Sequence, residues 1–311
     1  MVDRNMKQER ARVFGNQRQV VEEESECEEE DAFTPLQVAA SEGNLNLVSE
    51  LLKQDVDPNE RPRGWYGKTA LQAAALYGHF AVVDALIAGG ADIDAPGGNN
   101  GGRNALVLAA ASGHLQIVER LIAAGADVTL PATRYRGRTS LQAAAEGGNL
   151  PIVERLLDEG TEVNAAPAHN YGRTALQAAV EQQHMSIVEL LLERGAEVNQ
   201  SIRRYKGMTA LQAAASVGNL DLIKLLIDHG AAVNAMGSYY DGYTALSAAA
   251  GAGHLDAVKV LLENGADITA TSGNKHLTAM QCARLKGQKE VIKLLTEAQQ
   301  LRDIRKKNDH S

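Results

Sequence analysis

The 311-residue chain contains few cysteine and aromatic residues, and these shortages limit how it can fold. Its two cysteines, Cys27 and Cys282, are too few for a disulfide framework, so we expect a reducing compartment, the cytosol or the nucleus. Aromatic residues make up only 4% of the chain, so a core must be built mainly from alanine and leucine.

The chain also lacks long apolar runs and an excess of basic residues. No stretch of 18 apolar residues occurs, so the sequence predicts no membrane span. The charged N-terminal segment is not followed by an apolar stretch, so we expect no secretory signal. The formal net charge of -8 disfavours a general nucleic-acid binder, so we expect no nucleic-acid partner.

What the chain has instead is one segment repeated eight times. Aligned on a threonine, or once an asparagine, successive copies start 35 residues apart six times and then 34 residues apart. A fixed period of this length is typical of stacked repeat proteins. The copies start at Thr34, Thr69, Asn104, Thr139, Thr174, Thr209, Thr244 and Thr278.

One copy, residues 137–164, shows how each repeat is expected to fold. The alanine-rich run after Thr139 predicts a first helix, because alanine is the best helix former. Asn149 can cap a second helix, in which the apolar residues of 150–157 cluster on one side. Gly160 fits the left-handed position that closes this helix. Because such short helices are marginal alone, the repeats must stack to share a core.

The repeat resembles the ankyrin repeat. The family's T-P-L-H-x-A pattern appears as Thr-Pro-Leu-Gln-Val-Ala at 34–39 and as Thr-Ala-Leu-Gln-Ala-Ala at 174–179. Glutamine replaces the family's histidine in six copies, and the period is 35 rather than about 33 residues, which lengthens the hairpin-like fingers between repeats. The resemblance extends over residues 32–298, and arrays with a 35-residue period look similar to the long-finger arrays common in fungal ankyrin proteins. It implies an all-α solenoid of helix–turn–helix units.

Two polar segments flank this array of eight repeats. Residues 1–31 are expected to form a disordered tail, because eight of the ten residues from 22 to 31 are acidic. Alternatively, this segment folds back as an acidic arm on the basic fingers. Residues 299–311 are predicted to be a polar C-terminal tail. The first and last repeats depart from the pattern and are interpreted as caps.

The fingers hold most of the tyrosines and the only tryptophan. These aromatic residues stand one or two positions before a recurring finger glycine, and basic residues flank them. Tyrosine, tryptophan and arginine are enriched at binding hot spots, although the aromatics could instead pack finger against finger. In the ankyrin fold the end of the first helix completes a concave groove, which adds two glutamates and a tyrosine. The predicted partner-binding residues are Trp65, Tyr66, Tyr77, Arg103, Tyr135, Arg138, Glu146, Tyr171, Arg173, Glu181, Tyr205 and Tyr240.

Three patterns could indicate other chemistry. The glycine-rich run 97–102 lacks the Lys-Ser/Thr of a phosphate loop, so it predicts a flexible hairpin. Glu146 and Glu181 could be paired catalytic carboxylates, but we interpret them as surface glutamates. Four histidines occupy equivalent positions before the second helices and are spread along the array, so they cannot converge on one metal ion and are predicted to have a structural capping role. They are His79, His114, His184 and His254.

The sequence therefore predicts a monomeric, non-enzymatic interaction module or scaffold with no cofactor and no metal. It would bind an unidentified protein or peptide through the concave groove and the finger tips. The alternative is a small-molecule-binding protein or an atypical enzyme that uses the aromatic-lined groove.

We predict that residues 1–31 are dispensable for folding, because a block of eight acids cannot form an apolar core. Their removal should leave the shape of the circular dichroism spectrum of the array unchanged. A large loss of helix on truncation would show instead that this segment caps the array.

Overall fold

The computed structural model of the protein describes residues 33–61, 67–98, 103–133, 137–168, 172–200, 207–240, 242–271 and 273–308. Within these ranges the regular elements are sixteen helices in eight consecutive pairs, so that each repeat has an odd-numbered first helix and an even-numbered second helix. The helices are α1 (Pro35–Ser41), α2 (Leu45–Lys53), α3 (Ala70–Tyr77), α4 (Phe80–Ala88), α5 (Ala105–Ser112), α6 (Leu115–Ala123), α7 (Ser140–Gly147), α8 (Leu150–Asp158), α9 (Ala175–Glu181), α10 (Met185–Glu193), α11 (Ala210–Val217), α12 (Leu220–Asp228), α13 (Ala245–Ala252), α14 (Leu255–Glu263), α15 (Ala279–Lys286) and α16 (Lys289–Asn308).

The helices form two layers that share one continuous core. Each first helix packs on the next first helix and on its own second helix. First helices can approach closely because small residues such as Ala109 and Ala144 are fully buried between them. The second helices supply bulkier groups, and in α8 these are Ile152, Val153 and Leu156. Burying each such side chain contributes about 1.5–3 kcal/mol, so most of the stability of a repeat depends on its neighbours.

Six of the eight first helices begin with a two-way cap, and in four of them the capping glutamine also binds a described residue of the following finger. The Thr139 hydroxyl accepts a hydrogen bond from the backbone N–H of Gln142, and the Gln142 side chain accepts one from the backbone N–H of Thr139. The amide nitrogen of the same glutamine donates to the carbonyl oxygen of Ala165 over 3.0 Å. The glutamine that replaces the family's histidine therefore connects the start of its helix to the finger that follows.

The histidines before the second helices bind backwards to the preceding repeat. The Nε2 of His184 lies 3.2 Å from the carbonyl oxygen of Glu146, which can only accept, so Nε2 carries the proton. The ring packs over Gly148, whose φ is 76°, and a Cβ there would lie 2.6 Å from it. The structural role predicted for these histidines is therefore seen, although they close the preceding first helix rather than cap their own. Equivalent bonds join His79 to Ser41, His114 to Leu76 and His254 to Ser216.

A second inter-repeat link lies at the base of the fingers. The side chain of Asn164 donates to the carbonyl oxygen of Gly195 over 3.0 Å and accepts from the backbone N–H of Glu197 over 2.8 Å. The same pair of bonds is made by Asn59, Asn199 and Asn234.

The two junctions on either side of repeat 3 differ from this pattern. Asp94 replaces asparagine between repeats 2 and 3, and its carboxylate accepts from the backbone N–H of Asp127. Thr129 stands between repeats 3 and 4, and its hydroxyl donates to Asp127 within the same loop. That hydroxyl and the Thr129 backbone N–H lower the pKa of Asp127. These two junctions therefore lack the paired asparagine bonds, although Arg120 with Asp84 and Asn149 with Ala110 still join the repeats there.

The last helix is longer than the sequence predicts. Leu295 is buried, and beyond it Arg302 donates to the carboxylate of Asp267 over 2.9 Å and to the hydroxyl of Thr269 over 3.3 Å. The Thr269 backbone N–H, its hydroxyl and Arg302 together lower the pKa of Asp267. These contacts hold the extension against the finger base before repeat 8. Residues 299–308, predicted as part of a polar tail, thus continue α16, and residues 309–311 lie outside the described ranges.

We predict that Asn164→Ala lowers the free energy of unfolding by about 1–3 kcal/mol, because it removes two inter-repeat hydrogen bonds at about 0.5–1.5 kcal/mol each. Thr129→Ala is the matched control and should cost less, since it removes one local bond. Urea denaturation followed by circular dichroism measures both. Equal losses for the two variants would contradict the importance of the asparagine link.

Candidate functional site

The candidate site is built from two positions that recur in every repeat. The entry position is the residue directly before the N-cap of the first helix, and the exit position lies eight residues later, at or near the end of that helix. We refer to the surface formed by these positions as the groove face. Because the two positions flank a helix of only seven or eight residues, a long side chain at the entry can reach the exit.

In repeats 4 and 5 the entry arginine binds the exit glutamate. The Nε of Arg138 donates to Oε2 of Glu146 over 2.8 Å, and its Nη2 donates to Oε1 over 3.2 Å. The Nε of Arg173 donates to Oε2 of Glu181 over 2.8 Å. The arginine side chains are 12% and 14% exposed, and the glutamates 39% and 33%. Four predicted site residues thus form two neutralised pairs that hold the finger base on the first helix.

The entry and exit positions change in character along the array. The entry residue is cationic in repeats 2 to 5, but the exit residue is a carboxylate only in repeats 4 and 5. Within the described ranges, no carboxylate contacts Arg103. In chain order, the entry and exit pairs are Phe33 and Ser41, Lys68 and Leu76, Arg103 and Ala111, Arg138 and Glu146, Arg173 and Glu181, Met208 and Ser216, Tyr243 and Gly251, and Leu277 and Leu285.

The finger before repeat 7 presents a cluster of apolar side chains to solvent. Met236 is 71% exposed, Tyr239 57% and Tyr243 40%. A Cβ on Gly237 would lie 2.4 Å from the backbone nitrogen of Tyr243, so the two arms of this finger are in close contact. Sequence reasoning missed these three residues. The available signal was the tyrosine at an entry position where repeats 2 to 5 have lysine or arginine.

Two of the predicted aromatic residues, Tyr77 and Tyr240, lie within the described ranges. Tyr77 is exposed directly after the exit position of repeat 2, and its ring lies 6.4 Å from that of His79. Tyr240 is half-buried, and its ring meets that of Tyr239 edge-on, with 4.8 Å between centroids. This contact lies within one finger, so it does not decide whether the aromatics pack finger against finger. The remaining predicted aromatics lie outside the described residues: Trp65, Tyr66, Tyr135, Tyr171 and Tyr205.

Other chemistry finds little support in the part of the chain that the structure describes. No group of three or more His, Cys, Asp or Glu residues in these ranges could hold a metal ion. Burial raises the pKa of the Cys282 thiol, with Lys286 opposing the shift, so this cysteine is a weak nucleophile at neutral pH. None of the helices described is long and apolar enough to cross a membrane.

Comparison with known proteins agrees with this architecture. A family model described as ankyrin repeats (3 copies) matches residues 14–97, 36–132, 106–202 and 200–272. The crystal structure of the human ASB11 ankyrin repeat domain is similar, with a TM-score of 0.62 and 28% sequence identity. That match covers 76% of this chain and 99% of the ASB11 domain. No curated protein sequence matches. The resemblance and the all-α solenoid predicted from the sequence are confirmed.

We predict that Arg138 and Glu146 are energetically coupled by about 1–2 kcal/mol, because their contact is bidentate and partly buried. A double-mutant cycle with Arg138→Gln and Glu146→Gln, followed by urea denaturation, measures this energy. The control pair, Arg194 and Asp158, is 41% and 61% exposed, so its coupling should stay below about 1 kcal/mol. Similar coupling in both pairs would mean that the groove-face pair adds no more than a surface contact.

Proposed function

The chain belongs to the ankyrin repeat family, and from this premise we propose that it is a non-enzymatic adaptor that binds a protein partner. Ankyrin repeats are generally protein–protein interaction modules. Binding is assigned to the groove face and the finger tips. On this proposal the protein acts as a monomer, in the cytosol or the nucleus, and nucleic acid is not its partner.

The observation that carries the proposal is a contrast between fixed and variable positions within one chain. The framework residues recur from repeat to repeat, including the helix caps, the buried leucines and alanines, and the inter-repeat histidines and asparagines. The residues at the entry and exit positions vary much more: repeats 4 and 5 share one pair, but the others range from Arg103 and Ala111 to Tyr243 and Gly251. A rigid scaffold with a varied surface along one face is suited to recognising a partner of defined sequence.

The varied face also has the chemistry of an interface. Tyr77, Tyr239 and Tyr243 expose large rings on a framework already held by helix caps and inter-repeat bonds. Rigid aromatic side chains lose little conformational entropy on binding and are enriched at hot spots. The ion pairs of repeats 4 and 5 fix further side chains in place before any partner arrives.

Affinity capture from an extract of the source cells, followed by calorimetric titration with the purified partner, tests the proposal. Changing Tyr135, Tyr171 and Tyr205 together to alanine should weaken binding, since truncating a hot-spot aromatic can cost about 2 kcal/mol or more. Thermal melting of the same variant should change little.

The matched control changes three exposed glutamates of the second helices, Glu119, Glu154 and Glu189, to glutamine and should bind normally. A much lower melting temperature of the tyrosine variant would show that its aromatics stabilise the fingers. Equal loss of binding in both triple variants would place recognition on the second-helix layer and contradict the proposal.

A further inference from the structure

We propose that the partner segment has two chemically distinct ends, with an acidic side chain bound at repeat 3 and large apolar side chains bound at the finger before repeat 7. The inference rests on the proposed function, because it specifies which protein segment the groove face accepts. It follows from the order of the entry and exit pairs along the array.

The basic end is the entry position of repeat 3, which holds Arg103. Arg103 stands opposite Ala111 at its exit position, so its repeat supplies no carboxylate to neutralise it. Arginine presents a planar fork of donors that suits a carboxylate. A partner aspartate or glutamate can therefore form at Arg103 the contact that Glu146 forms with Arg138 in repeat 4.

In the middle of the groove face, the charged residues at the entry and exit positions neutralise each other. Glu146 and Glu181 already accept from Arg138 and Arg173, and these arginines are largely buried. A partner carboxylate placed here would meet a glutamate that is one-third exposed and already neutralised. Repeats 4 and 5 therefore favour neither acid nor base, and they separate the two ends of the pattern.

The apolar end is the cluster of Met236, Tyr239 and Tyr243 in the finger before repeat 7. Repeat 6 adds half-buried Met208 at its entry position. Outside this pattern, Glu42 in repeat 1 and Lys286 in repeat 8 carry charges of the opposite sign, and the proposal is confined to repeats 3 to 7. An apolar patch flanked by polar surface is typical of a protein-binding site.

The spacing of the two ends sets the length of the segment. Packed helices lie about 8–10 Å apart, so the four repeat steps from Arg103 to Tyr243 span roughly 32–40 Å. An extended chain advances about 3.3 Å per residue, so the acidic and apolar side chains should be separated by roughly 10 to 12 residues.

A random 16-residue peptide library displayed on phage, selected against the full chain, provides the probe. Enriched peptides should carry Asp or Glu towards one end and Leu, Met, Phe, Tyr or Trp about 11 residues away. Enriched peptides that bind but lack acids would overturn the inference and leave the proposed function intact. Failure to select any peptide would count against both.

Two variants then test the basic end without removing a cation. Ala111→Glu gives Arg103 the partner that Arg138 already has, and it should weaken binding of the selected peptide roughly tenfold. Glu146→Ala leaves Arg138 without its carboxylate and should strengthen binding of the same peptide. Circular dichroism confirms that both variants are folded. No change in affinity for Ala111→Glu would overturn the assignment.

Orientation is tested by disulfide trapping in the full chain with Cys27→Ser and Cys282→Ala. The second change is needed because a Cβ at position 251 would lie 3.6 Å from the Cβ of Cys282, close enough for an internal disulfide. Ala111→Cys and Gly251→Cys place a thiol at the exit positions of repeats 3 and 7. A selected peptide with cysteine beside its acids should couple to position 111, and one with cysteine beside its apolar residue should couple to position 251. The reverse pattern, or equal coupling, would overturn the proposal.

The acidic residues of the chain itself, between Glu22 and Asp31, are the competing occupant of the basic end. Neutralising all eight acids to Gln or Asn should change the affinity for the selected peptide by less than about threefold. A larger gain would mean that this segment fills the basic end, and the assignment of that end to a separate partner would fail.

Discussion

The structure depends on the inability of a single repeat to bury its own apolar residues. Each first helix has only seven or eight residues, and its alanines are covered only when the helix before and the helix after are in place. Polar groups also depend on neighbouring repeats. His184 bonds to the end of the first helix of the preceding repeat, and Asn164 bonds to the loop of the following repeat. Stability therefore comes mainly from contacts between repeats. Residues on the groove face take little part in these contacts, so they can vary without loss of the fold.

How far the sequence predicts the fold can be seen at individual residues. The repeat period, the Thr139 cap and the closing Gly160 are local signals, and all appear as expected. The extent of α16 was not predicted, because the contact of Arg302 with Asp267 joins residues 35 positions apart in two repeats. Nothing in the composition of residues 299–308 indicates that contact.

The candidate site was harder to predict for a physical reason. Arg138 lies in the finger and Glu146 lies in the helix, so no single helix or strand period relates their positions. The sequence placed both on the groove face but gave no sign that they bind each other. Tyr243 was missed because it follows the finger glycine Gly242, whereas the predicted finger aromatics precede theirs.

The junctions around repeat 3 give the array a mechanical property. Asn59, Asn164, Asn199 and Asn234 each join two repeats by a donated and an accepted bond, whereas Asp94 only accepts and Thr129 bonds within its own loop. The asparagine bond that joins successive loops is therefore missing on both sides of repeat 3, where Arg120 with Asp84 and Asn149 with Ala110 remain. Because Arg103 lies in repeat 3 and the apolar finger lies before repeat 7, a small rotation at these junctions would change the distance between them. A partner that contacts both ends at once would restrict that rotation.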